Sequence, residues 1–238
     1  MSDVVKKLQQ VLKDAGLYGL SVDGLWGNES QKAFDKAINP QGKAMQIAWG
    51  AKVSDLFLKK AIAGVAALGM PETGISDLLS CIAWESGRTF SASVVNKAGS
   101  GATGLIQFMP ATAIVYFNTA AEIAAMSDMQ KKTAGLAACV RLGKMTAEEQ
   151  LDYVFKYFAP YKGKLKNLGD LYMAILWPKG VGQQDSYVLW DEASRPTTFR
   201  QNAGLDVNKD KTITRGECLS KIQGMMAEGL KVGNVKAA

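Results

Sequence analysis

The sequence predicts a mainly α-helical protein built in two parts. Apolar residues recur at helical spacing through most of the chain. Thr146 with Glu149, and Thr214 with Glu217, have the spacing of reciprocal helix caps. Strand-type alternation is scarce, and one short hairpin is expected near Val94–Leu105.

Taken in order, the first 40 residues form a small helical module. Val5, Leu8 and Leu12 make one stripe, flanked by Val4 and Val11, and Gly16 stands where a helix would close. Val22–Gly27 then reads as a turn. Asn28 and Gln31 are placed to cap a second helix carrying Ala33, Phe34 and Ala37. Asn39-Pro40-Gln41-Gly42 has linker composition; residues 41–48 are assigned as linker and 49–238 as the second domain. There, Ser54 is expected to cap a helix with Phe57, Ala61, Val65 and Leu68 on one face, ended by Gly69 and Pro71. Ser76 is expected to cap the next helix. The Thr146 helix carries Leu151, Val154, Phe155 and Phe158 and stops at Pro160; the Thr214 helix carries Ile222, Met225 and Met226.

Composition removes several classes of function. There is no histidine, which excludes Ser-His-Asp and Cys-His catalysis and most zinc enzymology. Three dispersed cysteines, Cys81, Cys139 and Cys218, suggest neither a disulfide framework nor a metal site. No run of 18 apolar residues occurs, so no membrane insertion is expected. The N-terminus lacks the apolar segment of a signal peptide. A net charge of +6 favours anionic surfaces, but no dense basic run interleaved with aromatics points to nucleic acid. No cofactor is expected.

Chemistry concentrates in one stretch. No carboxylate occurs between Glu85 and Glu122. Glu85 follows Ile75, Leu78 and Ile82 on one helical stripe and should face inward beside Trp84. Burial raises a carboxyl pKa, which suits a general acid near neutral pH. Asn96–Gly104 follows, with glycines at 99, 101 and 104, where backbone can approach a ligand closely. Gln107 offers an amide that both donates and accepts. Met109-Pro110 places proline at a helix start.

The run Glu85-Ser86-Gly87 … Gly104-Leu105-Ile106-Gln107-Phe108-Met109-Pro110 resembles the soluble lytic transglycosylase and goose-type lysozyme superfamily, in the form that phage endolysins carry. That resemblance implies a lysozyme-like helical catalytic domain with a small hairpin, and cleavage of the β-1,4 MurNAc–GlcNAc bond. It implies Glu85 as the catalytic acid, with Ser86, Gly104 and Gln107 along the glycan. The family's late Ala-Tyr-Asn-Ala-Gly motif corresponds to Ala174-Ile175-Leu176-Trp177-Pro178, without the tyrosine. Tyr157, Tyr161 and Tyr172 are the replacements at hand, and Tyr161 is taken as the glycan contact.

Leu8, Gln9, Leu12, Gly16, Val22–Gly27 and Ser30 resemble one copy of the repeat of peptidoglycan-binding domains. That likeness implies wall binding through Asp23, Gly24, Trp26 and Gly27. Together the two resemblances imply a monomeric endolysin held in the host cytoplasm and acting on peptidoglycan after release. A hydrolytic muramidase, or a non-catalytic wall-binding or virion protein on the same scaffold, are the alternatives.

One motif stands apart. Asp206-Val207-Asn208-Lys209-Asp210-Lys211-Thr212-Ile213-Thr214, with Glu217, matches an EF-hand-like calcium loop except at its sixth position, where Lys211 replaces glycine. The expectation is that this loop folds without metal.

Overall fold

The computed structural model describes residues 3–25, 27, 29–30, 32–33 and 45–237. The chain divides into two compact units, Met1–Met45 and Gln46–Ala238. The boundary falls inside the expected linker but not at its end. Ile47 and Ala48 are fully buried in the second unit, where Gln46–Ile47 (β1) pairs antiparallel with Lys236–Ala237 (β4). The expected second helix cap at Asn28, the Asn39–Gly42 linker and Trp26 lie outside the described residues.

In the first unit, helix α1 (Asp3–Asp14) buries Leu12, with Leu8 partly buried, against Tyr18 and Ala33. Gly16, at φ 72°, ends the helix as its position predicts. Among the described residues this apolar cluster is small, and a polar hub supplements it. Gln9 is fully buried. Its Nε2 approaches four acceptors, closest to the Leu25 carbonyl at 2.8 Å and Asp23 Oδ1 at 2.9 Å. Its Oε1 accepts from the Gly24 amide at 2.9 Å.

The second unit is mainly α-helical with two small two-stranded sheets. Its axis is helix α3 (Gly74–Glu85), buried at every position from Gly74 to Ala83. A helix apolar on all sides must be surrounded. Here α2 (Asp55–Ala67), α8 (Leu168–Leu176) and α10 (Arg215–Gly229) surround it. Ser54 caps α2 by accepting from the Phe57 amide at 3.0 Å, and Phe57, Ala61, Val65 and Leu68 are buried as their spacing predicts. Ser76 is not the cap of α3. The helix starts two residues earlier, and the Ser76 hydroxyl instead accepts from the buried Ala48 amide at 3.1 Å. Trp49 ties the start of this unit to α10: its Nε1 donates to the Met225 carbonyl at 3.0 Å.

Both anticipated capping boxes form, on α7 (Ala147–Phe158) and α10. Thr119–Glu122 and Ser127–Gln130 add two more, on α5 (Ala120–Ala125) and α6 (Asp128–Gly143). The hairpin expected near Val94–Leu105 is reduced to isolated bridges, Val95 with Thr103 and Thr103 with Phe108. Glycine-dense backbone there turns too tightly for a ladder to extend. The longer strand pair is elsewhere: Val188–Asp191 (β2) against Thr212–Thr214 (β3). Among the described residues, no helix is long and apolar enough to cross a membrane. The three cysteines are buried and free.

A unit of 45 residues is marginal on size alone, so its buried polar hub matters to its stability. Gln9→Leu should leave the Gly24 amide without its partner and remove the amide's bonds to Asp23 and Leu25. We expect amide exchange in the first unit to accelerate by about tenfold or more, with the second unit unaffected. Unchanged protection at residues 8–25 in a hydrogen-exchange experiment would contradict this role.

Candidate active site

Helix α3 delivers Glu85 to the edge of the core. Ser86 then stops the helix. Its hydroxyl donates to the Ile82 carbonyl at 2.6 Å and accepts from the Phe90 amide at 3.1 Å. Gly87 at φ 59° and Arg88 at φ 70° reverse the chain, and Arg88 is anchored to Glu228 of α10 through two bonds of 2.7 and 2.6 Å. Ser86 is thus buried and its hydroxyl is spent on the turn. It positions Glu85 and does not line the cleft, a correction to its assignment as a glycan contact.

The opposite wall is the glycine loop, and a residue the sequence did not single out holds it. Gln150 of α7 is fully buried. Its Oε1 accepts from the Leu105 amide at 2.7 Å, and its Nε2 donates to the carbonyls of Ala92 at 3.1 Å and Leu142 at 2.9 Å. Gly104 has φ +85°, and a Cβ there would meet Gln150 Oε1 at 2.2 Å. Gly104 is therefore required by this clamp. It packs behind the wall and does not touch the cleft, which corrects its expected role.

Between these walls lies a cleft of about 680 Å³. Its polar and aromatic lining includes Glu85, Trp84, Gln107, Asn96, Tyr172 and Lys221. Among the described lining residues, Glu85 is the only carboxylate and Lys221 the only cation. Burial pushes the Glu85 carboxyl up to about 7. Asp77, two turns earlier on α3, is also lifted by burial, to about 6, but it does not line the cleft. Gln107 does line it, at φ 52°. Its Nε2 donates to the carbonyls of Val94 at 3.3 Å and Gly104 at 3.1 Å, so only the oxygen end of its amide remains for a ligand.

Of the three tyrosines, Tyr172 is the one in the cleft lining. Burial, and then the charge of Glu85, push its phenol far up, so it stays protonated as a donor. Tyr157 donates to the Ala174 carbonyl at 2.7 Å, and burial followed by Tyr161, Tyr116 and Glu85 lifts it to about 12. Tyr161 is half-buried and absent from the cleft lining, which corrects its selection over Tyr172. The far rim comes from Gln201, Asn202, Gly204 and Leu205, near the end of the chain. Nothing in their local sequence marked them, because only folding brings them to Glu85.

In the first unit, Asp23 and Gly27 line a shallow hollow of about 290 Å³ together with Tyr18 and Leu25. Asp23 Oδ1 also accepts from the Leu25 amide at 2.9 Å, and this bond, with that from Gln9, holds its carboxyl below its ordinary value. Gly24, at φ 79°, serves the turn and packs on Lys6.

The calcium-like loop is held by its own backbone. Glu217 accepts from the amides of Val207, Asn208 and Thr214. Asp210 accepts from the Thr212 amide, and Asp206 Oδ2 from that of Lys211. Lys211 adopts φ 70°, the conformation that glycine would supply, and its ammonium turns away to Glu192 at 2.8 Å. Asp206 Oδ1 is buried without a partner. The other carboxylate oxygens of the loop are engaged by its own amides.

Compared with known proteins, the chain matches no family model and no curated protein.

Two outcomes follow from this geometry. Glu85 has its pKa raised in the fold from an ordinary 4.5 to about 7. The folded state therefore holds a proton that the unfolded chain releases, and stability falls as pH climbs between those values. Glu85→Gln removes the ionisable group. It should leave stability little changed near pH 4 and raise it increasingly toward neutrality, by at most about 3 kcal/mol above pH 7. Urea melts of both proteins across that range test the sign; a variant less stable at pH 8 than the parent would refute it. For the loop, calorimetry should show no micromolar calcium binding, and chelator should leave the melting temperature unchanged.

Proposed function

We propose that the second unit cleaves the glycan strands of bacterial peptidoglycan, as a lytic transglycosylase of the kind its Glu85–Pro110 motif resembles. The observation that carries this reading is a single proton-bearing carboxyl in a large open cleft, with no second carboxylate among the described residues that line it. An inverting glycosidase needs a base about 6.5–9.5 Å from its acid, and a retaining one needs a nucleophile about 5–5.5 Å away. A transglycosylase needs neither, because the substrate supplies its own nucleophile at high effective molarity.

In this mechanism the Glu85 carboxyl gives its proton to the glycosidic oxygen as the C1–O bond breaks. The muramyl 6-oxygen then bonds to C1, and its proton passes to the Glu85 carboxylate. The acid is regenerated, no water is consumed, and one product ends in 1,6-anhydro-muramic acid. Tyr172 and the oxygen of Gln107 would hold hydroxyl and N-acetyl groups of the sugar. The first unit would tether the enzyme to the wall through the face around Asp23 and Gly27. The whole would act as a monomeric endolysin, stored in the host cytoplasm until lysis.

Glu85→Gln should reduce lysis of purified wall by about 10²–10⁴-fold while the fold persists. Wild-type turnover should decline as pH rises through about 7, where the acid loses its proton. Mass spectrometry of released muropeptides should find anhydro-muramyl ends. Reducing ends would indicate a hydrolytic muramidase, and a blank zymogram would indicate a non-catalytic wall protein.

Deleting residues 1–45 should weaken pull-down on insoluble sacculi yet spare turnover of soluble glycan fragments. Equal pull-down would assign the first unit a purely structural role.

A further inference from the structure

Helix α6 hides one face and leaves the other bare. Gly135, Ala138, Cys139 and Leu142 are buried. On the opposite side Met129, Leu136 and Val140 fall on one line of the helix, and they are 72%, 40% and 59% exposed. Val115, 56% exposed, widens this line from the 3-10 turn Ile114–Tyr116, which packs on α6. A single exposed apolar side chain is ordinary, but a contiguous line of them marks a contact surface. The charges around it have one sign. From Met129 to Ala147 the chain carries Lys131, Lys132, Arg141 and Lys144 and no carboxylate. By the helical period Lys132 and Lys144 flank the apolar line on its two sides. None of the four bases makes an ion pair among the described residues. Glu149 and Asp152 share a surface hollow with Arg141 and Lys144, but Glu149 caps α7 and Asp152 pairs with Lys60 at 2.8 Å. Asp128, at the start of α6, is the one acid of the helix.

We propose that this face of α6 docks on the anionic surface of a phospholipid bilayer. The apolar line rests at the boundary of headgroups and acyl chains, and Lys132 and Lys144 pair with lipid phosphates. Lys131 and Arg141 add to the attractive field. Apolar side chains flanked by unpaired bases supply both terms that interfacial binding to anionic lipid needs. A second copy of the chain fits the face poorly, because packing it on itself would bring like charges together. Val115 extends the patch beyond one helix, which suits a plane better than a single partner helix. The contact is peripheral: among the described residues no helix is long and apolar enough to cross a membrane. It holds whichever reaction the cleft performs, and in a bacterial host it would keep the chain against the inner leaflet.

Co-sedimentation of the full chain with vesicles tests this. The protein should bind vesicles of phosphatidylglycerol mixed with phosphatidylcholine and leave pure phosphatidylcholine vesicles alone. Salt at about 1 M, where screening confines charge interactions to about 3 Å, should release it. Lys132→Gln/Lys144→Gln should weaken partitioning by about twentyfold, since each base near an anionic surface contributes about fivefold. Leu136→Ser/Val140→Ser should weaken it by about tenfold with no change in charge. Lys162→Gln/Lys164→Gln removes the same charge from another exposed site and should bind like the parent. All the substituted side chains are exposed, so the melting temperature of each variant should match the parent's. An equal loss in the Lys162→Gln/Lys164→Gln variant would show that net charge alone drives adsorption, and would overturn the docking face. Equal binding to both kinds of vesicle, or no binding to either, would overturn it too. Sedimentation equilibrium without lipid examines the other occupant. A dimer that Leu136→Ser/Val140→Ser dissociates would give the face to a second copy and refute the proposal.

Discussion

The side chain of Gln150 carries one acceptor and two donors into a fully buried position, and three backbone groups from three segments meet them. Leu105 lies on the glycine loop, Ala92 on the chain leading into it, and Leu142 near the end of α6. An unpaired backbone group in such a place would cost about 1–3 kcal/mol. The amide therefore fixes where the loop can lie, and only a glycine at 104 lets the loop come close enough to be held. Ile106 and Gln107 line the cleft because the residues just before them are clamped behind it. The first unit uses the same device on a smaller scale, with Gln9 closing the turn at Asp23–Leu25.

With one wall fixed, the placement of Glu85 depends on the helix that carries it. Every residue of α3 before Trp84 is buried. The helix cannot rotate without exposing apolar surface or burying its polar end. That rigidity holds a carboxyl in a setting that disfavours its charge, an arrangement that costs stability as pH climbs above 4.5 and keeps a proton available near neutrality. Support comes from beneath: Trp49 reaches Met225, Arg88 reaches Glu228, and Ser86 closes the helix end. Arg88 joins the exit of α3 to α10, and Trp49 joins the start of the unit to the same helix. The C-terminal third of the chain is thereby structural scaffolding for the acid as well as the source of the far rim.

That C-terminal region is organised by a further buried polar group. Arg215 donates to Asp170 at 3.1 Å and to Asp185 at 2.5 Å, and Asp170 also accepts from the amides of Lys166 and Gly182. A buried charge persists only when paired in this way. The network orients α8, which presents Tyr172 and Ile175 to the cleft. The calcium-like loop lies immediately before Arg215, and its carboxylates are given to backbone amides, so it acts as a rigid lead into α10.

Much of the local architecture was legible in the residues themselves. The caps at Ser54, Thr146 and Thr214, the buried faces of α2 and α7, and the placement of Glu85 at the end of a buried helix all follow from period and capping chemistry, which act within a few residues. The errors arose where a side chain had two possible partners. Ser76 could cap its helix or meet the Ala48 amide; Ser86 and Gly104 could face a ligand or serve a turn and a clamp. Spacing cannot separate those options, because the deciding partner is distant in sequence. Gln150 and the Gln201–Leu205 rim carried no local signal for the same reason. The sequence by itself determined a helical chain with one acid at a helix end before a glycine-rich turn. Only the tertiary structure decided which tyrosine joins that acid, which polar groups are spent on the backbone, and that no other carboxylate among the described residues lines its cleft. Those are questions of long-range packing, set by which buried groups must satisfy one another.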